Sequence, residues 1–231
     1  MKKNEHLIKE VYPGSIAEEM GIEPGDVLLR INKQEIGDVF DYRYYIKDDY
    51  IEVLIRKADG EEWLLEIDKD YDDDLGIEFD NGLMSDYRSC SNKCIFCFID
   101  QLPKNMRPTM YFKDDDFRLS LLYGNYVTLT NATDADIQRI IDLRVSPLNI
   151  SVHTTDPELR VRMLANPRAG KILTILRQFA DAGIDLRCQI VLCKGFNDGQ
   201  ALQKTMSDLK DLLLQLMRSA FHPVLSLTPV L

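Results

Sequence analysis

Three of the five cysteines in this 231-residue chain fall within eight residues, Cys90-Ser-Asn-Lys-Cys94-Ile-Phe-Cys97. Thiolates at this spacing lie close enough for one loop to wrap a metal centre. The total number of cysteines is odd, and the first residues run into polar and charged positions without the apolar stretch of a signal peptide. A disulfide framework is therefore disfavoured. The pattern predicts metal or redox chemistry in a cytoplasmic protein.

The cysteine spacing distinguishes two kinds of metal site. A structural zinc site closes four ligands and usually pairs two Cys-x2-Cys units, whereas this loop contains one such unit. Zinc would therefore need a distant fourth ligand, for which His153 is the candidate. Three thiolates on a four-iron cluster instead leave one iron without a protein ligand, open to a substrate or cofactor. The iron–sulfur interpretation is favoured, and zinc stays as an alternative.

The other two cysteines, Cys188 and Cys193, lie in the apolar run LRCQIVLC. In a strand, residues five positions apart point to opposite faces, so these two thiols cannot clamp one metal together. We predict that both are buried structural thiols.

Composition disfavours several classes of partner. The formal net charge of −10 gives an average surface that repels the nucleic-acid backbone, so no nucleic-acid partner is expected. No apolar run approaches the roughly 18 residues that span a bilayer, so no membrane association is expected. With 45% hydrophobic and 29% charged residues, the chain has the balance of a globular protein. Its length allows one to two domains, and we predict two.

Residues 1–68 predict a compact β-rich domain. Apolar alternation indicates strands at 7–12, 27–31, 51–56 and 63–67, and Ala58-Asp59-Gly60 between the last two is a hairpin signal. Ser15 is placed to cap a short helix that ends before Gly21. The acidic run 69–74 then suggests a linker, so residues 69–85 are predicted to be a linker and connecting strand.

Residues 86–231 alternate between strand and helix patterns, which predicts βα units around a parallel sheet. Helix starts are marked by Thr133 with Asp136, which approximates a capping box, and by Asp156-Pro157. The predicted strands are 126–130, 148–153, 186–193 and 224–231, and the predicted helices are 133–143, 157–164, 169–182 and 198–217. The fold class is therefore α/β.

The segment PGSIAEEMGIEPGDVLLRINKQEI, residues 13–36, resembles the strand, helix, turn and strand of bacterial PDZ domains. The resemblance implies a peptide or protein partner held by strand addition, with its carboxylate on backbone N–H groups. A docking module without a free-peptide ligand is the alternative, since fold does not fix function. Residues 75–79 faintly resemble a carboxylate-binding loop, and we predict a connecting strand there.

The cysteine spacing, with Phe96 before the last cysteine, resembles the Cys-x3-Cys-x-aromatic-Cys motif of radical S-adenosylmethionine (radical SAM) enzymes. The resemblance implies that Cys90, Cys94 and Cys97 hold a [4Fe–4S] cluster whose free iron binds the amino and carboxylate groups of S-adenosylmethionine. It implies reductive cleavage to methionine and a 5′-deoxyadenosyl radical, which abstracts hydrogen from an unknown substrate. An electron donor such as flavodoxin or ferredoxin would supply the electron.

Longer segments carry a narrower resemblance, to PDZ-linked radical SAM proteins of the Fe–S oxidoreductase type. Longer members of that family have a C-terminal domain of unknown function. The matching segments are CSNKCIFCFIDQLPKNMR, KDDDFRLSLLYGNYVTLTN, LNISVHTT and QIVLCKGFND.

The resemblance implies that residues 86–231 form a partial radical SAM (β/α) barrel with its site at the carboxyl ends of the strands. Many relatives carry Gly-Gly-Glu after the second strand, where this chain has Thr130-Asn131-Ala132. Asn131 would there supply a carbonyl acceptor for the SAM amino group. The full set of expected cofactor contacts is Phe96, Thr130, Asn131, Ser151, His153 and Gln189. No catalytic residue is assigned.

The number of strands sets a further expectation. Four or five strands can be counted, fewer than the six of a partial barrel, and Leu231 falls within an apolar strand. The barrel is therefore expected to be C-terminally incomplete and this chain poorly active. A non-catalytic Fe–S protein, or a peptide-binding protein that uses the PDZ-like domain, is the alternative to an enzyme.

Overall fold

The protein is described here by a computed structural model that covers residues 5–217 and 224–229. Its chain separates into two compact units, Met1–Tyr87 and Arg88–Leu231. Among the described residues, no helix combines the length and the apolar character that crossing a membrane requires.

The first unit is a six-stranded antiparallel sheet with two short helices. The strands follow the order β5-β4-β2-β1-β6, and β3 pairs with β2 outside that order. The β4–β5 hairpin turns at Gly60, whose φ of +97° suits a residue without a side chain. The strand bounds are β1 (His6–Val11), β2 (Val27–Ile31), β3 (Gln34–Glu35), β4 (Tyr50–Arg56), β5 (Glu62–Asp68) and β6 (Ile77–Phe79).

Polar caps start both helices of this unit. The Ser15 side chain accepts from the Glu18 N–H and begins α1 (Ile16–Glu19), which confirms the predicted cap. Helix α2 (Val39–Tyr45) was not predicted, because its aromatic and β-branched residues favour a strand by local propensity. Asp38 caps it by accepting from Phe40 N–H at 2.9 Å, and its apolar face is buried. Within the connecting strand predicted at 75–79, β6 covers Ile77–Phe79 and pairs with β1, so it is part of the sheet of the first unit.

The second unit is a mixed α/β structure built on parallel strands. The sheet order is β7-β8-β9, and both pairs are parallel. A 3-10 turn at Pro167–Lys171 delays the start of α6 relative to the prediction, and α3 was not predicted. The bounds are α3 (Phe117–Tyr123), α4 (Asp134–Asp142), β7 (Leu148–Ser151), α5 (Pro157–Leu164), α6 (Ile172–Asp181), β8 (Leu186–Leu192), α7 (Gly199–Met217) and β9 (Val224–Pro229).

The predicted strand at 126–130 is wrong as a regular strand. Only a single parallel bridge forms there, between Val127 and Ile150. The next N–H group, that of Thr128, is bound by the Asp115 carboxylate at 2.6 Å, and Leu129 takes a left-handed φ of +61°. A side-chain acceptor thus replaces the neighbouring strand as the partner of this backbone.

The described part of the second unit shows three parallel strands and two isolated bridges, and no closed barrel. The partial barrel therefore stays a prediction. The chain crosses from β7 to β8 through α5 and α6, and from β8 to β9 through α7. Because the strands are parallel, their carboxyl ends meet at one edge, and the polar residues that follow β7 lie there.

Candidate functional site

The cysteine loop is fixed to its surroundings by backbone hydrogen bonds on both sides. At its start, Cys90 N–H donates to the Lys113 carbonyl at 2.7 Å. Further along, Lys93 and Ile95 donate to the carbonyls of the last two residues of α5, at 3.0 and 2.9 Å. The loop therefore has a defined path that does not depend on its sulfur atoms.

The three thiols are half-buried and influence one another electrostatically. Burial, followed by the charges of Cys90 and Cys97, raises the pKa of Cys94 to about 12, and Arg160 opposes the shift. Burial is also the main cause of the raised pKa of Cys90. Cys90 and Cys94 are therefore protonated at neutral pH unless a metal replaces the proton.

Among the described residues, no three His, Cys, Asp or Glu side chains converge on a point where one ion could bind. The thiolates of a four-iron cluster bind different iron atoms and have no need to converge on a single point. Three free cysteines on one loop of fixed path are chemically suited to such a cluster.

A buried polar network anchors the middle of the loop. Asn92 donates to Thr128 Oγ1 at 2.9 Å, and its Oδ1 accepts from Thr130 at 2.9 Å and from Asn166 at 2.7 Å. Thr128 in turn donates to the Asp115 carboxylate through both N–H and Oγ1, at 2.6 Å. Burial raises the pKa of Asp115, against the hydrogen bonds from these two threonines. The network ties the loop to the end of the 126–130 segment.

Asn131 lies beside the first cysteine. Its Nδ2 group donates to the Ser89 carbonyl at 3.3 Å. Its Oδ1 atom is buried and has no hydrogen-bond partner within the part of the chain that the structure describes. A buried acceptor without a donor is unfavourable, so this atom is suited to a ligand that brings an N–H group.

His153 follows β7 with a left-handed φ of +65° and is buried. Its Nδ1 accepts from Val191 N–H at 3.2 Å, and its ring packs on Phe96 with centroids 4.5 Å apart. Burial, followed by the charge of Arg160, lowers the pKa of His153 to about 3. The ring is therefore neutral at physiological pH, with its proton on Nε2.

The remaining expected contacts are distributed along the strands. Ser151 and Gln189 are partners in the β7–β8 register, so they lie side by side at the sheet edge. Thr130 belongs to the Asn92 network, and Phe96 meets His153. The structure thus brings the six expected contacts to two places, the loop network and the end of the β7–β8 pair.

Sequence reasoning missed the residues that support the loop. Asn92, Asp115, Arg160 and Asn166 are all buried polar side chains. Asn92 could have been identified because it lies between two of the cysteines. The others lie 18 to 69 positions beyond the motif, and no local pattern links them to it.

The prediction for the two remaining cysteines is half right. Cys188 is buried in β8, and burial raises the pKa of its thiol to about 12. Cys193 lies one residue beyond β8 and is only partly buried. It packs against the same apolar cluster as Cys94 and Phe96, because the chain turns towards the loop once the strand has ended.

Two family models match the chain. One, described as a radical SAM-like domain, matches residues 69–219, which is more than half of the chain, and one described as a PDZ domain matches residues 7–57. Among solved structures, a radical SAM methyltransferase from Sphaerobacter thermophilus is similar at 12% identity and a TM-score of 0.31, over 95% of this chain and 82% of that one. A score this low supports no conclusion about fold or activity. No curated protein matches.

Proposed function

The chain belongs to the radical SAM-like family, and from that premise we propose that it is an enzyme in which Cys90, Cys94 and Cys97 hold a [4Fe–4S] cluster that binds S-adenosylmethionine. The observation that carries the proposal is a cysteine loop of fixed path with a buried, unpartnered acceptor, Asn131 Oδ1, beside it. The substrate and the class of reaction on it are left open.

When bound, the cluster would supply the electron that splits S-adenosylmethionine into methionine and a 5′-deoxyadenosyl radical able to abstract hydrogen from a substrate. The chain's own part is to hold and orient these groups. Cys90, Cys94 and Cys97 would hold the cluster as thiolates, and the Asn92 network keeps the loop that carries them in place. A donor protein such as flavodoxin or ferredoxin is part of the proposal.

Asn131 and His153 are proposed to orient the cofactor. The unpartnered Oδ1 of Asn131 is an acceptor for the amino group of S-adenosylmethionine. His153, neutral and protonated on Nε2, offers one N–H donor beside Phe96. Thr130, in the loop network, and Ser151 and Gln189, in the β7–β8 register, complete the proposed contacts.

The proposal also covers the fold of the second unit and the role of the PDZ domain. The second unit is taken to follow the plan of a partial (β/α) barrel, which the parallel order β7-β8-β9 supports. The PDZ domain is taken to bind a peptide or protein partner, which the family match over residues 7–57 supports.

Anaerobic reconstitution of the full chain with iron and sulfide tests the proposal. We expect about four iron and four sulfide per chain, and release of 5′-deoxyadenosine when S-adenosylmethionine and a reductant are added. Cys94→Ala should lose the cluster, whereas Cys188→Ala, which changes a cysteine outside the loop, should keep it. Cluster uptake without 5′-deoxyadenosine would favour a non-catalytic Fe–S protein, and zinc without iron would reject the proposal.

A further inference from the structure

Arg160, in the middle of helix α5, is a buried cation that is only 1% exposed. Among the described residues, all the hydrogen bonds of Arg160 go to backbone carbonyls. Nε donates to Val152 at 2.8 Å, Nη1 to Ala169 at 2.7 Å, and Nη2 to Ser151 at 2.7 Å and to Thr128 at 3.1 Å. Within residues 5–217 it makes no ion pair.

Such an arrangement is unusual for a charge. Buried charges in proteins are normally paired or bound to metals, because an isolated one loses its hydration without electrostatic compensation. The carbonyls satisfy the N–H groups of Arg160 but carry no net negative charge. Four backbone carbonyls without net charge surround the fixed positive charge of Arg160. A nearby anion would therefore stabilise it.

The cysteine loop is where that anion would lie. Cys94 packs against an apolar cluster that includes Ala169 and Leu164. The Ala169 carbonyl binds Arg160, and Leu164 lies one helical turn after Arg160 in α5. The Leu164 carbonyl also binds the loop directly, through Lys93 N–H. Arg160 is tied to the loop from a second side as well, because its Nη2 donates to the Thr128 carbonyl at 3.1 Å and the Thr128 hydroxyl accepts from Asn92, between two of the cysteines, at 2.9 Å.

Asp115 is the other ionisable group on which the charge of Arg160 acts. Its carboxylate is bound by threonine donors and is not an ion-pair partner of Arg160. Burial raises the pKa of Asp115, and Arg160 acts in the opposite direction. The electrostatic neighbours of Arg160 are therefore one buried carboxyl group, that of Asp115, and the cysteine loop.

We infer that Arg160 is the fixed positive charge that stabilises the anionic, reduced form of a cluster on the cysteine loop and so raises its reduction potential. The inference rests on the proposed function. Its physical basis is that reduction adds one negative charge to the cluster, and a nearby cation in a medium of low dielectric constant favours that step. Arg160 is a positioning residue, since it acts on the cluster without contacting substrate.

The test compares reduction potentials of the reconstituted cluster in the full chain, without S-adenosylmethionine, by redox titration followed by EPR. Arg160→Gln removes the charge and keeps hydrogen-bond donors, and Arg160→Lys keeps the charge but not the planar group. Arg162→Gln is the matched control, an exposed arginine two residues away on the same helix. Circular dichroism and iron content establish that each variant is folded and loaded.

We expect a more negative potential in Arg160→Gln, and potentials near wild type in Arg160→Lys and Arg162→Gln. An unchanged potential in loaded Arg160→Gln overturns the inference, as does an equal shift in the Gln and Lys variants, which would indicate a purely geometric role. If Arg160→Gln does not fold, a lowered potential in Arg160→Lys overturns it. Failure of wild type to bind any cluster is a different result and rejects the proposed function itself.

Discussion

The side chains of Asn92 and Asn166 meet inside the second unit, where Asn166 Nδ2 donates to Asn92 Oδ1 at 2.7 Å. One residue lies between two cysteines of the loop and the other lies just beyond α5, 74 positions away. This bond and the threonine bonds to the same amide connect the loop to two separate parts of the unit. A substitution at position 92 therefore tests the whole anchor.

Asn92→Ala should lower the free energy of unfolding by about 1–3 kcal/mol, because it removes the buried acceptor of Asn166 and Thr130 and the donor to Thr128. Urea unfolding of the cluster-free chain measures the change. Lys93→Ala is the control, since that side chain is exposed while its backbone bond to α5 is retained. An equal effect of both substitutions would show that the amide is not the anchor.

Asn131→Ala should weaken binding of S-adenosylmethionine by about tenfold or more, the usual effect of one hydrogen bond to a charged donor. Titration of the reconstituted protein by calorimetry gives the dissociation constant, and iron content shows that the cluster is retained. Gln138→Ala, an exposed amide of α4, is expected to bind as wild type does. Unchanged affinity in Asn131→Ala would remove this residue from the cofactor site.

The pKa of His153, about 3 in the folded chain, predicts a loss of stability in acid. In the unfolded chain His153 takes up a proton near pH 6.5, whereas in the folded chain it does not. The contribution of neutral His153 to the free energy of unfolding is therefore complete above pH 6.5 and declines as the pH falls towards 3. At pH 5 the loss is about 2 kcal/mol. Urea unfolding at pH 7.5 and pH 5 should therefore show a smaller difference in His153→Asn, which tolerates the left-handed backbone.

His6, also buried and with a pKa lowered mainly by burial, is present in both proteins and cancels in this comparison. The same pH dependence in wild type and His153→Asn would contradict the buried, neutral histidine.

The pKa of Asp136 predicts a change in stability over a lower pH range than that of His153. Arg88 binds its carboxylate through both terminal nitrogens, at 2.7 and 2.8 Å. Although burial disfavours its charge, the bonds from Arg88 and Thr133 lower the pKa of Asp136 to about 2. The ionised carboxylate of Asp136 therefore adds to the free energy of unfolding above pH 4, and this contribution is lost as the pH falls through 2.

Asp136→Asn should therefore reduce stability by about 1–2 kcal/mol at pH 7 and by less at pH 2. Denaturant unfolding across that range measures the effect. Asp134→Asn changes an exposed carboxylate in the same turn and should keep the wild-type pH dependence. A constant difference between Asp136→Asn and wild type from pH 7 to 2 would argue against the ion pair.

Gly76→Ala should destabilise the first unit by about 2–4 kcal/mol, through a left-handed backbone and overpacking. Its φ is +78°, and an added Cβ would lie 2.3 Å from Ser15 Cβ. Gly14→Ala separates the two causes, because Gly14 has a similar φ of +73° with open space around it. Thermal unfolding should show the smaller loss for Gly14→Ala, and equal losses would exclude the steric contribution.

The sequence by itself determined the features that depend on short-range patterns. Period-two alternation indicated most strands of the first unit, and the caps at Ser15 and Thr133 formed as predicted. The three cysteines and Phe96 identified the loop, because metal-ligand spacing is a local property. The PDZ resemblance rested on one continuous segment, and a family match covers it.

Only the tertiary structure decided what surrounds the loop. The segment 126–130 has strand propensity, yet Asp115 captures its backbone at Thr128 and limits it to one bridge. Helix α2 forms from residues with strand propensity because Asp38 caps it and its apolar face is buried. Arg160 is indistinguishable from the exposed Arg162 by composition, and only packing places one in a carbonyl cradle and the other in solvent. Burial and long-range partners set these outcomes, and neither is encoded within a few neighbouring residues.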